Sequence, residues 1–325
     1  MPEADSVLDD PSVVEMRTTA ALTGGQVIQL PDGRAGVVLR DKAATTTADP
    51  AAVAVRGQYS VPKAGTHAFL DGGEAWWDHS ANVAFIRRGD DRDFYLGAVV
   101  GDHTTETGTA VLVDLNVRTV YSVDALEEFD SVATGTAAFT GFQEARMQGR
   151  SCAEMVLTST NEAQCVDVLS TASFAKGAKG IAEARVLIAA NGSTNAVDIN
   201  VGVANATSTT DADAIAESAF VHIDGGALTL LAESDDGTTE VAATDTTKAF
   251  VVGTSFDVWI DTRDLTSVKF YINGQRVLSA TTFVLTAATG PFKLLAHLEK
   301  SSSAATAGPV KVQRLVARTT EAVAA

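Results

Sequence analysis

The stretch Val268-Lys-Phe-Tyr-Ile-Asn-Gly-Gln-Arg-Val277 constrains the fold more than any other. Val268, Phe270 and Ile272 alternate with Lys269, Tyr271 and Asn273, so apolar and polar side chains leave opposite faces of an extended chain. Asn273-Gly274 then supplies two residues that tolerate positive φ, which a two-residue type I′ turn requires. The segment predicts a β-hairpin with one buried face. A lone hairpin is not stable in water, so this one demands a larger sheet. The same alternation recurs just upstream, where Phe256, Val258 and Ile260 oppose Asp257, Trp259 and Asp261.

Read outward from the hairpin, the chain is a series of short strands punctuated by Gly, Pro and Asp. Strands are predicted around Val27-Ile28, Ala35 to Leu39, 51–64 (broken at Gly57 and ended by Pro62), twice within 67–88, and at 94–100 and 109–116. Such even spacing suggests a small barrel or sandwich. A second set covers 163–170, 183–190, 197–205, 218–226, 227–234, 256–263, 268–277, 292–300 and 309–318, the pattern of a β-sandwich. Asp-Ala-Leu-Glu-Glu-Phe (124–129) has the composition of a helix, and 211–218 that of a helical turn. A length of 325 residues suits two domains. The expected division is an extended polar arm over 1–20, a β domain over 21–123, a connector over 124–138 and a sandwich over 139–325.

The formal net charge of −17 repels nucleic acid and anionic membrane surfaces, and no basic stripe offsets it. No apolar run approaches the roughly 18 residues that span a bilayer, and Met1 to Pro11 lacks the basic start and apolar stretch of a signal peptide. Cys152 and Cys165 have no Cys-x-x-Cys partner and no nearby His, which argues against zinc. They fall on two segments read as neighbouring strands and are expected to be buried free thiols, as suits a protein made in a cytoplasm.

Residues 24–116 resemble a family of phage capsid cement, or decoration, proteins. The carriers are Gly-Gly-Gln-Val-Ile-Gln-Leu-Pro-Asp-Gly-Arg-Ala-Gly-Val-Val-Leu from Gly24, the Val-Arg-Gly-Gln-Tyr-Ser-Val-Pro-Lys-Ala-Gly segment from Val55, Asp-Gly-Gly-Glu-Ala-Trp-Trp-Asp from Asp71, and Tyr-Leu-Gly-Ala-Val-Val-Gly-Asp from Tyr95 leading to the valine strand that starts near Gly108. Members of that family typically end near this last strand, whereas this chain continues. The extension resembles a concanavalin-type jelly roll of the laminin-G or lectin-like class, carried by Glu183 to Ala190, Phe220 to Ser234, Phe256 to Val277 and Pro309 to Arg318. The fold class expected is therefore all-β, a small N-terminal β-barrel or β-sandwich followed by a jelly-roll β-sandwich.

Candidate chemistry is sparse. Asp235-Asp236-Gly237 and Asp261 to Asp264 match no calcium-loop spacing and read as turn formers. Glu127-Glu128 are adjacent, not held across a cleft as a glycosidase pair would be. His67, His79, His103, His222 and His297 are scattered, with no nucleophile setting such as Gly-x-Ser-x-Gly. Gly101 to Ala110 lacks the Gly-Lys-Ser/Thr ending of a phosphate loop. No catalytic residue, metal or cofactor is expected. Trp76 and Trp77 adjoin on one strand, so one ring faces inward and the other outward. Trp76 and Trp77, with Val13, Val14 and Met16 of the arm, are the candidate interface residues.

The resemblance implies a structural virion protein on the outer surface of a phage head, made in the host cytoplasm. It would bind the major capsid protein and self-associate, as a trimer or, second, a dimer. The competing expectation is a carbohydrate-binding adhesin module, for which exposed aromatics beside Asp and Asn in a groove would speak.

Overall fold

The computed structural model describes residues 5–6, 12–105, 107–130, 133–135, 142–147, 150–192, 196–305 and 308–319. Among them every regular element is a β-strand. Two compact units divide the chain, Met1–Val120 and Tyr121–Ala325.

The first unit contains two sheets. A six-stranded antiparallel sheet runs in the order Asp5–Ser6, Gln58–Pro62, Ala110–Leu115, Phe94–Val99, Glu74–Asp78 and Val83–Phe85. A four-stranded one runs Val13–Thr18, Asp49–Ala54, Ala35–Val38 and Val27–Gln29. Alternation decides which side chains enter the core: Tyr59 and Val61, Ala75 and Trp77, and Val111, Val113 and Leu115 are buried, while their neighbours in sequence stay partly open. Asn116 fastens the two sheets' strands. Its Oδ1 accepts from Ala35 N at 2.9 Å, and its Nδ2 donates to the carbonyls of Ala35 and Val55. Gly97 has a steric reason: a Cβ there would stand 2.1 Å from the Asp114 carbonyl oxygen on the paired strand.

The second unit is a sandwich of two eight-stranded antiparallel sheets. One runs Phe142–Met147, Arg150–Met155, Val310–Thr319, Gly180–Ile188, Ser255–Asp261, Lys269–Ile272 and Gln275–Val277, with Val123–Asp124 also on Val310–Thr319. The other runs Phe129–Asp130, Glu162–Ser170, Lys293–Ser303, Val197–Ala204, Glu217–Asp224, Thr229–Asp236 and Glu240–Ala249, with Ala133–Thr134 also on Glu162–Ser170. The core lies between their facing surfaces, where Val186, Val258 and Phe270 of one sheet join Val201, Val221 and Leu298 of the other. Each such side chain contributes about 1.5–3 kcal/mol on burial. The hairpin closes as its sequence requires: Ile272 pairs with Gln275, and Asn273 and Gly274 have φ of 50° and 73°. Asn273 is used twice, since its Oδ1 also accepts from Asp257 N at 3.0 Å.

Four expectations are corrected. Residues 124–129 form no helix, because Val123–Asp124 and Phe129–Asp130 pair with strands of the sandwich, leaving only a turn between them. The stretch read as a connector therefore supplies sandwich strands, and the second unit begins at Tyr121 instead of residue 139; residues 131–132 and 136–138 lie outside the described ones. Val13–Thr18 is a strand hydrogen-bonded to Asp49–Ala54, not part of an arm; residues 1–4 and 7–11 lie outside the described ones. Cys152 and Cys165 are both free and buried, but they sit in different sheets.

Candidate functional site

The five interface residues expected from sequence do not form one site. Trp77 is fully buried in the first unit's core, which removes it as a surface contact. Trp76 is half-buried and fixed: it meets Tyr95 edge-on at 5.4 Å between ring centroids, and its Nε1 donates to Glu74 Oε2 at 3.1 Å. Val14 and Met16 are half-buried and pack against Leu30, Val53 and Val55. Val13, on the opposite face of that strand, is 49% exposed. Among the aromatic side chains whose burial is described, none is exposed.

A group of side chains that the sequence left apart comes together in the second unit. Ile199 and Val201, Val221 and Ile223, and Ala232 point into the sandwich core. Alternation turns Asp198, Asn200, His222, Asp224 and Glu233 to the opposite face. Register aligns them, with Asp198 opposite Asp224 and Asn200 opposite His222. The segment 205–216 folds over this face. Its Ala212 and Ile215 bury against Phe220 and Leu295, Ala212 N donates to Glu299 Oε2, and Asp213 reaches the strands.

His222 is the centre of the group. Its Nδ1 lies 3.1 Å from Asp213 Oδ1 and 3.5 Å from Glu233 Oε1; its Nε2 lies 3.1 Å from Asp224 Oδ1 and 3.8 Å from Asp198 Oδ1. Burial disfavours a charged imidazole, yet the hydrogen bonds that it donates to Asp213 and Glu233, and their negative charges, outweigh that cost and raise His222 to about 11. Burial, with the Asp213 charge, pushes Glu233 up to about 7 against the pull of His222. Burial, together with the charges of Glu299, Asp213 and Asp224, pushes Asp198 up to about 6. Asp213 is held low despite burial, because His222 and Asn200 hydrogen-bond it. Asn200 Nδ2 donates to Asp213 Oδ1 at 2.5 Å and to Glu233 Oε1 at 3.1 Å, while its Oδ1 is buried without a partner.

Beside this group, His297 Nε2 stands 2.6 Å from Glu299 Oε2 and 3.6 Å from Cys165 Sγ. The arrangement has the residue types of a cysteine nucleophile and its base. Burial, with the charges of Asp167 and Glu299, pushes the Cys165 thiol up to about 12, so it stays protonated and unreactive. Glu127 and Glu128 lie exposed at the turn. Asp236 and Asp264 accept backbone N–H groups at their turns, as turn formers do.

The sequence carried one signal for the His222 group: polar residues two apart in Val197–Ala204 and in Glu217–Asp224. That spacing is also the mark of an ordinary solvated strand face, and only the covering segment and the register distinguish the two.

Against this geometry the comparisons with known proteins can be set. Residues 9–115 match the phage cement protein family. The cement match thus falls inside the first unit and covers the strands from Val13 to Leu115. No curated protein matches the chain in sequence. Similar solved structures include an endo-acting O-glycanase of the human gut microbiota, at 10% identity and TM-score 0.40 over 57% of this chain and 85% of that one. Another is the potassium-bound carbohydrate recognition domain of Emp46p, at 11% identity and TM-score 0.36 over 59% of this chain and 88% of that one. A third is a mixed-linkage-glucan GH16 protein of Bacteroides ovatus, at 7% identity and TM-score 0.41 over 61% of this chain and 98% of that one.

Proposed function

We propose that the chain is a structural capsid decoration protein of a phage, and that the unit Met1–Val120 makes the contact with the shell. One observation carries this reading: the cement match, residues 9–115, coincides with a unit that is compact by itself. The partner is the major capsid protein on the outer surface of the head. A decoration protein that binds only the expanded shell stabilises that shell by mass action. Self-association, as a trimer at a local symmetry axis, multiplies weak contacts into avidity. The reading involves no enzymatic step. Val13 and the half-open Trp76–Tyr95 pair are the side chains proposed to meet the shell, since Trp and Tyr anchor interfaces well.

The test mixes the full-length protein with expanded, undecorated shells and sediments them. Co-sedimentation is expected, with Trp76→Ala weakening it by roughly tenfold, as loss of a moderate anchor does. Absence of binding by the unaltered protein overturns the reading. Ultracentrifugation of the free protein reports whether it is a trimer.

A further inference from the structure

We propose that the sandwich binds one divalent metal cation on the face away from its core, held by Nδ1 of His222, the carboxylates of Asp213 and Glu233, and the amide oxygen of Asn200. The proposal stands on the second unit alone and is independent of the shell contact.

The geometry suits an ion. The candidate ligand atoms of Asp213, His222 and Glu233 all lie within 4.8 Å of one another. His222 Nδ1 stands 3.1 Å and 3.5 Å from the two carboxylate oxygens. Donors bound at about 2.0–2.2 Å to a common ion stand about 3.0–3.5 Å apart, so small side-chain shifts seat it.

Asn200 gives a second, independent indication. It is fully buried, and its Oδ1 has no hydrogen-bond partner. The same amide already touches Asp213 and Glu233 through Nδ2. Turning the amide end for end would put the orphaned oxygen against two carboxylates. That is repulsive in an empty site and favourable around a cation, which accepts all these oxygens as ligands. One ion therefore gives the orphaned carbonyl oxygen a partner and relieves the crowding of like charges, in exchange for the two hydrogen bonds that Nδ2 now makes.

Charge points the same way. Four carboxylates, those of Asp198, Asp213, Asp224 and Glu233, lie within ion-pair reach of His222. Among the described residues no Lys or Arg pairs with any of them. A protonated His222 supplies one positive charge among four carboxylates, so the group as a whole stays negative. With metal on Nδ1, Nε2–H remains to donate to Asp224, 3.1 Å away. This is the carboxylate–histidine–metal arrangement that fixes a ligand's tautomer and orientation. The second cluster, Asp198–His222–Asp224, is then outer support and needs no ion of its own.

The donor set also selects the ion. One imidazole nitrogen with carboxylate and amide oxygens favours Mn2+ or Zn2+ over Ca2+, which prefers oxygen alone. Asp213 is 44% exposed at its side chain and belongs to the covering segment, so an ion entering from solvent would pin that segment onto the sheet.

The experiment strips the full-length protein with chelator and titrates it calorimetrically with MnCl2, ZnCl2 or CaCl2, each alone. The expected result is one Mn2+ or Zn2+ per chain, bound more tightly than Ca2+, with a rise in the sandwich's melting temperature. Asp213→Asn and Glu233→Gln should each weaken binding about a hundredfold, and Asp224→Asn about tenfold. Glu240→Gln, an exposed carboxylate elsewhere on the sheet, should not. Spin-echo spectra of the Mn2+-loaded unaltered protein should show coupling to one imidazole nitrogen, and this readout does not depend on any variant folding. Absence of saturable binding, binding that survives both Asp213→Asn and Glu233→Gln, or a bound Mn2+ without nitrogen coupling overturns the proposal.

Discussion

The two units differ in how their buried charges are satisfied: the first uses backbone groups, and the second adds a cluster of side chains to backbone-held charges such as Asp236. In the first unit the buried charged side chains among the described residues are Lys63 and Asp93. Lys63 Nζ donates to the carbonyls of Gly65, His67 and Thr105, at 3.4, 2.7 and 3.3 Å. Asp93 accepts from the backbone N–H groups of His79, Gly89 and Asp90, at 3.1, 2.8 and 2.9 Å. In the second unit, His222 and its carboxylates lean on one another. Backbone partners neither titrate nor exchange, so a charge held by them is part of the scaffold. Side-chain partners of mostly one sign do both, and a group built from them is open to an additional ligand.

Substitutions can break that contrast. The largest effect is expected at Lys63→Met, which leaves three loop carbonyls without their donor. It should lower the first unit's stability by about 3 kcal/mol. Calorimetry should show the loss in one transition only, and an equal shift of both transitions would mean that the units do not unfold separately.

Asp236 is the second unit's counterpart of Asp93. Its carboxylate accepts from Thr238 N, Thr239 N, Thr286 Oγ1 and Ala287 N, and these bonds outweigh burial to hold it below the usual carboxylate range. Its contribution is present above the unfolded value of 3.8 and is lost as the pH falls through the lower folded value. Asp236→Asn should remove about 2 kcal/mol at neutral pH and flatten the acid limb of the stability curve. An unchanged acid limb would show that Asp236 is not a scaffold charge.

Gly274→Val should cost the sandwich about 1.5 kcal/mol by placing a β-branched residue at positive φ, and leave shell binding intact. Loss of shell binding with a stable sandwich would make the hairpin a capsid contact.

Glu233→Gln, measured in chelator, should have the smallest effect. The folded value of about 7 lies above the unfolded 4.5, so the stability from its proton is lost as the pH rises between the two. At pH 8 the ionised carboxylate opposes folding, and the amide should melt at the same temperature or slightly higher. A loss comparable to that of Asp236→Asn would place Glu233 among the scaffold charges.

What the sequence revealed was local. Asn273-Gly274 specified its turn because φ at two adjacent residues decides it, and alternation sent one of Trp76 and Trp77 inward without saying that it was Trp77. The helix expected at 124–129 failed because its ends are claimed by partners far along the chain, Val316-Ala317 and Leu169-Ser170. Val13–Thr18 was read as an arm for the same reason: its partner, Asp49–Ala54, lies beyond two other strands. The His222 group was hidden twice over. Its members come from three strands and a loop, and each, taken singly, resembles an ordinary solvated residue.

The pairing of Val123–Asp124 with Val310–Thr319 has a kinetic consequence. Ser122 donates to the Ala317 carbonyl across a sequence separation of 195 residues, and the same closing strand fills the centre of its sheet, between Arg150–Met155 and Gly180–Ile188. Contacts of such span form late, because a long loop must be closed before they are rewarded. During synthesis the strands of the first unit are all available before the sandwich's central strand has been made. The first unit can therefore reach its folded form while the sandwich is still open, and a ribosome stalled before Val310 would present a folded first unit tethered to an unfinished second one.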